Sequence, residues 1–393
     1  MIQNMKTNIK IGLLPKIIIA IILGIFCSLF FPDFLNRIFK TINVLYANFL
    51  SFVIPLIILG LVAPGIGELG KGAGKLLAIT ALLAYTSTLI AGFFSYFTCS
   101  FTYPLVLEQN GSLSTLDSVS TLDVLPYFTV DMPPVMGVTT ALILAFIIGL
   151  GVSALSGTSF RNGLAEFREM ITTLISKAII PFLPLYIFTI FLEISVEGQV
   201  TSVLQMFIKV IAIIFVMHII LLLGQFCIAG AIAKKNPIKA LLNMIPAYLT
   251  ALGTQSSAAT IPVTLAQAQK NDVDKDVADF VIPLCATIHL SGSILKIVAC
   301  AFAIMWVSGL ECSLDIYAGF ICMLGITMVA APGVPGGAIM AALGLLASML
   351  GFDETLQGLM IALYITMDSF GTAGNVTGDG AIALIMNRIY KKL

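Results

Sequence analysis

Charge is scarce in this chain. Only 10% of its 393 residues are Asp, Glu, Lys or Arg, and twenty of each sign cancel to a net charge of zero. Such a balance carries no sign of a nucleic-acid partner or of an acidic one. Two histidines are present, and the seven cysteines show neither a CxxC pair nor Cys/His ligand spacing. They lie mostly inside apolar segments and read as packing residues. Nothing resembles a soluble domain or a low-complexity tail. What fills the chain instead is apolar: 59% of it is hydrophobic, and its mean hydropathy is far above that of soluble proteins. The apolar residues fall in repeated runs of about 20 residues or more, the pattern of a polytopic α-helical membrane protein. Lys6, Lys10 and Lys16 precede a first run that reaches Phe31. That run is too long for a signal-peptide core and has no small-residue cleavage site, so it reads as a retained helix.

Full-length spans are predicted at about 12–31, 41–63, 76–105, 135–156, 172–195, 203–232, 279–309 and 357–387. Between them lie two pairs of shorter apolar arms. Residues 240–253 and 261–269 flank the polar tip Thr254-Gln255-Ser256-Ser257-Ala258-Ala259-Thr260, and residues 316–331 and 337–350 flank Pro332-Gly333-Val334-Pro335-Gly336. Arms this short do not comfortably cross ~30 Å of hydrocarbon at about 1.5 Å per residue, so each pair should dip in and return. Lys71 and Lys75, Arg161 and Arg168, Lys234, Lys235 and Lys239, Lys270 and Lys275, and Arg388, Lys391 and Lys392 fall in alternate connections. The opposite connections hold Asp117, Asp123 and Asp131, Glu193 and Glu197, Glu311 and Asp315, and Asp353 and Glu354. The positive-inside rule then places both termini in the cytoplasm, in a multi-pass protein of the cell membrane. The first loop, with Asp33, Arg37 and Lys40, is mixed, and 107–131 reads as a polar external loop. One hairpin plus a helix entering from inside is followed by a hairpin plus a helix entering from outside. This is an inverted repeat, which in secondary transporters puts the site near the midplane.

The last span carries two carboxylates. Asp368, Thr372, Asn375 and Asp379 recur at steps of four, three and four, and at about 100° per residue this draws one polar stripe down a helix. Each ionised carboxylate at bilayer depth costs roughly 2.5–3.5 kcal/mol, so the two need partners: a buried cation of the protein, or a bound cationic group and a cation. The Ser256-Ser257 tip and the Gly333-Val334-Pro335-Gly336 tip would aim N–H groups and helix N-termini at one spot, which suits an anion. Opposite them, Asp368 suits an ammonium and the Asn375 amide a carboxylate. An ammonium beside a carboxylate is an α-amino acid. The seventh span has its own face, Cys285, His289, Ser293 and Lys296, at steps of four, four and three. Lys296 needs a negative partner, Asp368 or Asp379, and both a structural salt bridge and a substrate contact are open to it. His289 could accept a proton near neutral pH, but reads as a neutral, hydrogen-bonded histidine. His218 reads as packing.

These residues resemble the glutamate transporter family, the dicarboxylate/amino acid:cation symporters, over nearly the whole chain. The likeness lies in Gln255-Ser256-Ser257-Ala258-Ala259-Thr260-Ile261-Pro262-Val263-Thr264, Ile282-Pro283-Leu284-Cys285-Ala286-Thr287-Ile288, Gly333-Val334-Pro335-Gly336-Gly337-Ala338-Ile339-Met340 and Asn375-Val376-Thr377-Gly378-Asp379, four motifs in order on the right elements. The resemblance implies an all-α fold of eight transmembrane helices and two re-entrant hairpins, in a homotrimer embedded in membrane lipid. Residues 1–70 and 107–200 would form a static scaffold. Residues 71–106 and 201–393 would form a transport domain that slides as an elevator. Carried over, the substrate set is Gln255, Ser256, Ser257, Ser293, Val334, Gly337, Asp368, Gly371, Thr372 and Asn375. Within it Asp368 holds the amino group and Asn375 the α-carboxylate, with backbone at Ser257, Val334 and Gly337 and the Thr372 hydroxyl closing the pocket. The cation set is Thr86, Ser87, Cys285, Thr287, His289, Ser291, Asn375 and Asp379, with sodium at Asp379 and Asn375.

The chain also departs from the family. Its Asn-Met-Asp-Gly-Thr reads here His289-Leu290-Ser291-Gly292-Ser293, so an amide and a carboxylate that would serve cations are gone. The arginine that reads an acidic side chain is Gly371, and an aromatic position is Lys296. The expectation is therefore a non-enzymatic symporter of a neutral amino acid, coupled to sodium, to protons or to both, with no cofactor. The alternative is an acidic amino acid or dicarboxylate, with Lys296 replacing the arginine. An intramembrane protease is the remote reading, since aspartyl chemistry wants its two Asp on different helices. A channel is disfavoured by closed tips and buried acids.

Overall fold

The computed structural model describes residues 12–69, 75–109, 125–154, 157–329, 331 and 335–391. Among these residues the secondary structure is helical throughout, with no strand. The first part contains α1 (Leu13–Ser28), α2 (Asp33–Leu69), α3 (Lys75–Val106), α4 (Val138–Ala154), α5 (Ser159–Leu174), α6 (Ile180–Val196) and α7 (Val200–Ala233). A π turn at Ile175–Ile179 joins α5 to α6. It sits directly before Pro181 and Pro184, whose missing N–H groups leave carbonyls one turn earlier without their usual donors. The second part contains α8 (Pro237–Asn243), α9 (Ile245–Thr254), α10 (Ser257–Lys270), α11 (Lys275–Ile288), α12 (Ser291–Val307), α13 (Leu314–Val329), α14 (Gly337–Leu350), α15 (Glu354–Thr366) and α16 (Asp368–Tyr390).

Among the described residues, five segments are long and apolar enough to cross a membrane: Asp33–Gly67, Leu76–Val106, Ser159–Val196, Val200–Ala233 and Lys275–Val307. Helices α1 and α4, with 16 and 17 residues, are shorter than the spans read from sequence. The last two spans are also not single helices. The seventh breaks between α11 and α12 at His289 and Leu290, where φ/ψ become −107/99 and −120/44. The eighth breaks at Met367, with φ −120 and ψ 12. The face read as Cys285, His289, Ser293 and Lys296 on one helix is therefore corrected: Cys285 ends up on α11, Ser293 and Lys296 on α12, and His289 in the break. Neither break has Pro or Gly at it. At each, a side chain from another helix bonds the backbone: Asn375 of α16 at the first and Lys296 of α12 at the second.

Helices α9 and α10 pack against each other and meet at a narrow turn. Gln255 takes the left-handed conformation, φ 53, and the Ser256 side chain accepts from the Ala259 N–H at 3.3 Å, capping α10. The seven-residue tip of the sequence reading thus shrinks, because Ser257 already begins the helix. Helices α13 and α14 pair likewise, with Gly336 at φ 75, where glycine avoids the Cβ penalty. Pro332, Gly333 and Val334 lie outside the described residues, as do Lys71, Lys392, Asp117 and Asp123.

Two groups of helices emerge from the contacts. Helices α1, α2, α4, α5 and α6 pack among themselves, and α3 and α7 gather with α9 to α16 around α12 and α16. The groups touch where α13, α14 and α15 meet α1, α2, α4 and α6, and where α6 meets α7. Outward-facing apolar residues recur one turn apart, as in Ile18 and Ile22, Phe97 and Phe101, and Ile143 and Ile147, which suits hydrocarbon rather than water. At one end of α2, Lys40 pairs with Glu193 of α6, and Asn43 Nδ2 donates to the same carboxylate at 3.3 Å. Just beyond α6, burial pushes the Glu197 carboxyl up to about 7; Glu193 adds to this and Lys40 opposes it.

Helices α1 and α6 approach most closely at Gly24, where a Cβ would lie 2.7 Å from the Phe188 carbonyl oxygen. Gly24→Leu is expected to destabilise the protein by about 1–3 kcal/mol through overpacking, seen as a lower Tm in detergent. Gly151→Leu is the control, since nothing lies within 4 Å of a Cβ there. Equal Tm values for the two variants would show that the α1–α6 contact is dispensable.

Candidate functional site

The stripe read from the sequence exists. Asp368, Thr372, Asn375 and Asp379 all lie on α16 and are buried, with Asp379 only 1% exposed. Asp368, Asn375 and Asp379 each bond a group on a neighbouring element. Asn375 caps α12: its Oδ1 accepts from the N–H groups of Gly292 at 2.8 Å and Ser293 at 3.2 Å. These are donors that a helix start leaves unpaired. The Asn375 amide also donates to Ser293 Oγ at 3.0 Å, which leaves one N–H of the amide free to meet a ligand. The approach is close because Gly292 has no Cβ; one would stand 2.7 Å from the Gly371 carbonyl oxygen.

In front of this stretch of α16 is a cavity of about 160 Å³, well below the ~300–1,000 Å³ of pockets for drug-sized ligands. The first hairpin contributes Gln255, Ser257 and Ala258, and the second contributes Ala331 and Ala338. Ala286, Thr287, Leu290 and Ser293 close one side; Tyr364, Asp368, Thr372 and Asn375 close the other. The start of α10 therefore faces the stripe as expected, with its N-terminal dipole turned toward the cavity. Gly337 is the buried first residue of α14, while Val334 is outside the described residues. Thr372 Oγ1 donates to the Asp368 carbonyl at 3.2 Å. Gly371 does not line the cavity.

The Asp368 carboxylate is held from two sides. Its Oδ2 accepts from the Gly336 N–H at 2.7 Å, and its Oδ1 lies 3.7 Å from Lys296 Nζ. Lys296 is wholly buried, donates to the Met367 carbonyl at 3.0 Å and sits 4.0 Å from the centroid of the Tyr364 ring. Of its two candidate partners it takes Asp368. A Cβ at position 371 would overlap Lys296 Cε and Nζ, so the space that Gly371 leaves is filled by the lysine. Asp368 and Tyr364 line the cavity, and Lys296 stands behind them.

Three turns along α16 is a second constellation. His289 Nδ1 lies 2.9 Å from Asp379 Oδ1, and His289 Nε2 lies 3.0 Å from Ser87 Oγ. Gln225 Nε2 donates to Ser87 Oγ at 3.1 Å and to Ser291 Oγ at 3.0 Å. A hydroxyl that accepts from Gln225 can give its own hydrogen to Nε2, leaving Nδ1–H for the carboxylate, the arrangement of a neutral ring. The Cys285 carbonyl accepts from the His289 N–H at 2.9 Å. Asp379 Oδ2 and Gln225 Oε1 are buried with no hydrogen-bond partner. Thr86 and Ser87 line a second, apolar cavity of about 300 Å³ between α3, α7 and α16. Thr287 belongs with the first cavity, its hydroxyl donating to the Leu284 carbonyl at 2.7 Å. His218 packs in an edge contact with Tyr248, 5.9 Å between ring centroids.

Gln225 and Tyr364 are the participants that sequence reasoning missed, while Gly336 belongs to the tip whose N–H groups it aimed at this spot. Gln225 had a signal: an amide in the apolar run 203–232 needs a partner for the same reason as the acids of the last span. Asp368 and Asp379 are eleven positions apart on one helix, which is about 16 Å along its axis. That geometry gives no aspartyl dyad.

The comparisons with known proteins agree with this geometry. The serine/threonine transporter SstT of Acinetobacter baumannii is 27% identical over 384 residues, covering 94% of this chain and 95% of that protein. The serine/threonine transporter SstT of Acinetobacter baylyi is 26% identical over 400 residues, 98% of each chain. Excitatory amino acid transporter 3 of Mus musculus is 37% identical over 166 residues, which are 41% of this chain and 31% of that protein. Residues 13–389 match the sequence profile of the sodium:dicarboxylate symporter family. With nearly its whole length matched and its buried acids set between broken helices, the chain belongs to that family: it is an integral membrane protein, a cation-coupled symporter and not an enzyme.

Proposed function

We propose that this symporter carries a neutral amino acid of the serine or threonine class. The observation that carries the reading is the small cavity in which Asp368 and Asn375 are exposed to one space while Gly371 adds no charged side chain to it. Asp368 takes the substrate ammonium, and the free N–H of Asn375 and the α10 start at Ser257 take its carboxylate. Backbone at Gly337, the first residue of α14, completes the pocket. That the relatives matched over their full length are named for serine and threonine supports the same choice.

In this reading α1, α2 and α4 to α6 are the scaffold of a homotrimer in the cell membrane, and α3 with α7 to α16 is the part that moves as an elevator. Helices α9/α10 and α13/α14 are the re-entrant hairpins of an inverted repeat, and both termini are cytoplasmic. The contact pattern of two helix groups supports the division, and the alternation of basic and acidic connections supports the orientation. A sodium ion is held at the unpartnered Asp379 Oδ2 with backbone carbonyls of Cys285 and Asn375. The neighbouring position is closed, because His289 lies among Asp379, Ser87 and Gln225 and because Ser291 supplies no carboxylate.

The test is labelled-serine uptake by the purified protein in liposomes, with sodium and proton gradients applied separately. Saturable, sodium-driven accumulation with a shallow dependence on sodium is expected. A steep dependence, with several sodium ions per serine, would show that the closed position is open. Uptake driven by the proton gradient alone would make the coupling ion a proton, and a flux that fails to saturate would make the protein a channel.

A further inference from the structure

A wholly buried lysine is an expensive way to fill space. Breaking a buried ion pair is damaging, yet replacing the pair by apolar side chains of similar volume is often neutral or stabilising. Packing alone therefore does not account for Lys296. Its surroundings say what the charge is for. The Met367 carbonyl, at the break between α15 and α16 where it also accepts from the Phe370 and Gly371 N–H groups, and the Tyr364 ring fix the ammonium beside Asp368. Gly371 leaves room for the end of the side chain. Groups of the protein thus satisfy both carboxylate oxygens, Lys296 on one and the Gly336 N–H of the second hairpin on the other.

We propose that Lys296 is the fixed counter-ion of Asp368, taking in the substrate-free carrier the role that a mobile cation would otherwise have at that carboxylate, so that Asp368 needs no bound cation when the empty carrier returns. The proposal rests on the reading that Asp368 binds the substrate ammonium. An uncompensated carboxylate at bilayer depth would have to be neutralised on the return leg, either by a bound cation or by a proton. With Lys296 behind it, the pocket is neutral when empty. When loaded, the substrate ammonium faces the same carboxylate while the Asn375 amide and the α10 start meet the substrate carboxylate, so each charge has a partner even without the lysine. The Gly336 contact ties the second hairpin to α16 in the same state, which keeps the returning pocket closed. The charge moved per cycle is then that of the coupled cation alone.

Exchange and net uptake separate this role from a structural one. Exchange of internal for external serine involves only the loaded carrier, whereas net uptake needs the empty one to return. In Lys296→Met, exchange is expected to survive while sodium-driven net uptake falls about tenfold or more. Equal losses in both would show a merely structural lysine, and unchanged net uptake would show that no counter-ion is needed; either overturns the proposal. If Lys296→Met is not monodisperse, Lys296→Gln, which keeps an N–H for the Met367 carbonyl, is measured in its place. If neither folds, the native protein decides. Its uptake into liposomes holding choline as the only internal cation should run for many turnovers, and arrest after one serine per carrier overturns the proposal. Asp368→Asn is run alongside. Should it keep exchange and uptake, the reading of Asp368 itself has failed; should it lose both while Lys296→Met loses both equally, only the counter-ion has.

Discussion

Asp368→Asn is expected to abolish serine transport while the protein stays folded. Among the described residues Asp368 is the only acidic side chain lining the cavity, and an ammonium taken from water into that space needs a full negative charge rather than an amide dipole. A charge-assisted hydrogen bond is worth about 1.5–3 kcal/mol, so its loss alone weakens binding by roughly 10- to 100-fold. The deficit is larger here, because the same substitution leaves Lys296 buried beside an uncharged neighbour. A second positive group would then enter against an uncompensated first one. Folding is less affected. The Asn oxygen still accepts from the Gly336 N–H, and Lys296 keeps the Met367 carbonyl and the Tyr364 ring. The measurement is equilibrium exchange of labelled serine by monodisperse protein, with Tm as the check on folding. Asp368→Asn/Lys296→Met should recover whatever stability the single variant loses and recover no transport. Near-normal exchange in the single variant would remove Asp368 from the site.

What could be read in the sequence was the part written in periodicity and in cost. Steps of four, three and four put Asp368, Thr372, Asn375 and Asp379 on one face, and the structure keeps them there because α16 runs unbroken from Asp368. The hairpin arms were legible from length and the turns from Ser, Gly and Pro. The breaks at His289–Leu290 and Met367 were not, because no local residue forces them. They exist where Asn375 can cap α12 and where Lys296 can bond the Met367 carbonyl, which are contacts between segments about 70 to 80 positions apart. A pattern of period 3.6 passes through such breaks unchanged. The same limit explains why sequence left Lys296 between two acids. Only the packing of α12 on α16 decides that Asp368 is in reach.

Substrate choice should favour neutral side chains, with serine, alanine or threonine displacing labelled serine in exchange at concentrations about tenfold or more below aspartate or glutamate. An acidic side chain in the cavity would be desolvated with no bidentate partner facing it. Lys296 is the one residue that could reverse this, being a point charge near the space left by Gly371. Three contacts hold it away: the Met367 carbonyl, the Tyr364 ring and Asp368, the last two standing between it and the cavity. Position 371 then becomes the specificity lever. Gly371→Arg alone should disrupt the site, since even a Cβ there overlaps the lysine. Gly371→Arg/Lys296→Ala removes the lysine Cε and Nζ that a Cβ would overlap, returns one positive charge to the neighbourhood of Asp368 and presents a planar fork to the cavity. Its preference in exchange is expected to invert toward aspartate. If aspartate or glutamate already wins in the native protein, and loses that advantage in Lys296→Met, the neutral reading is wrong and the lysine reads the substrate side chain.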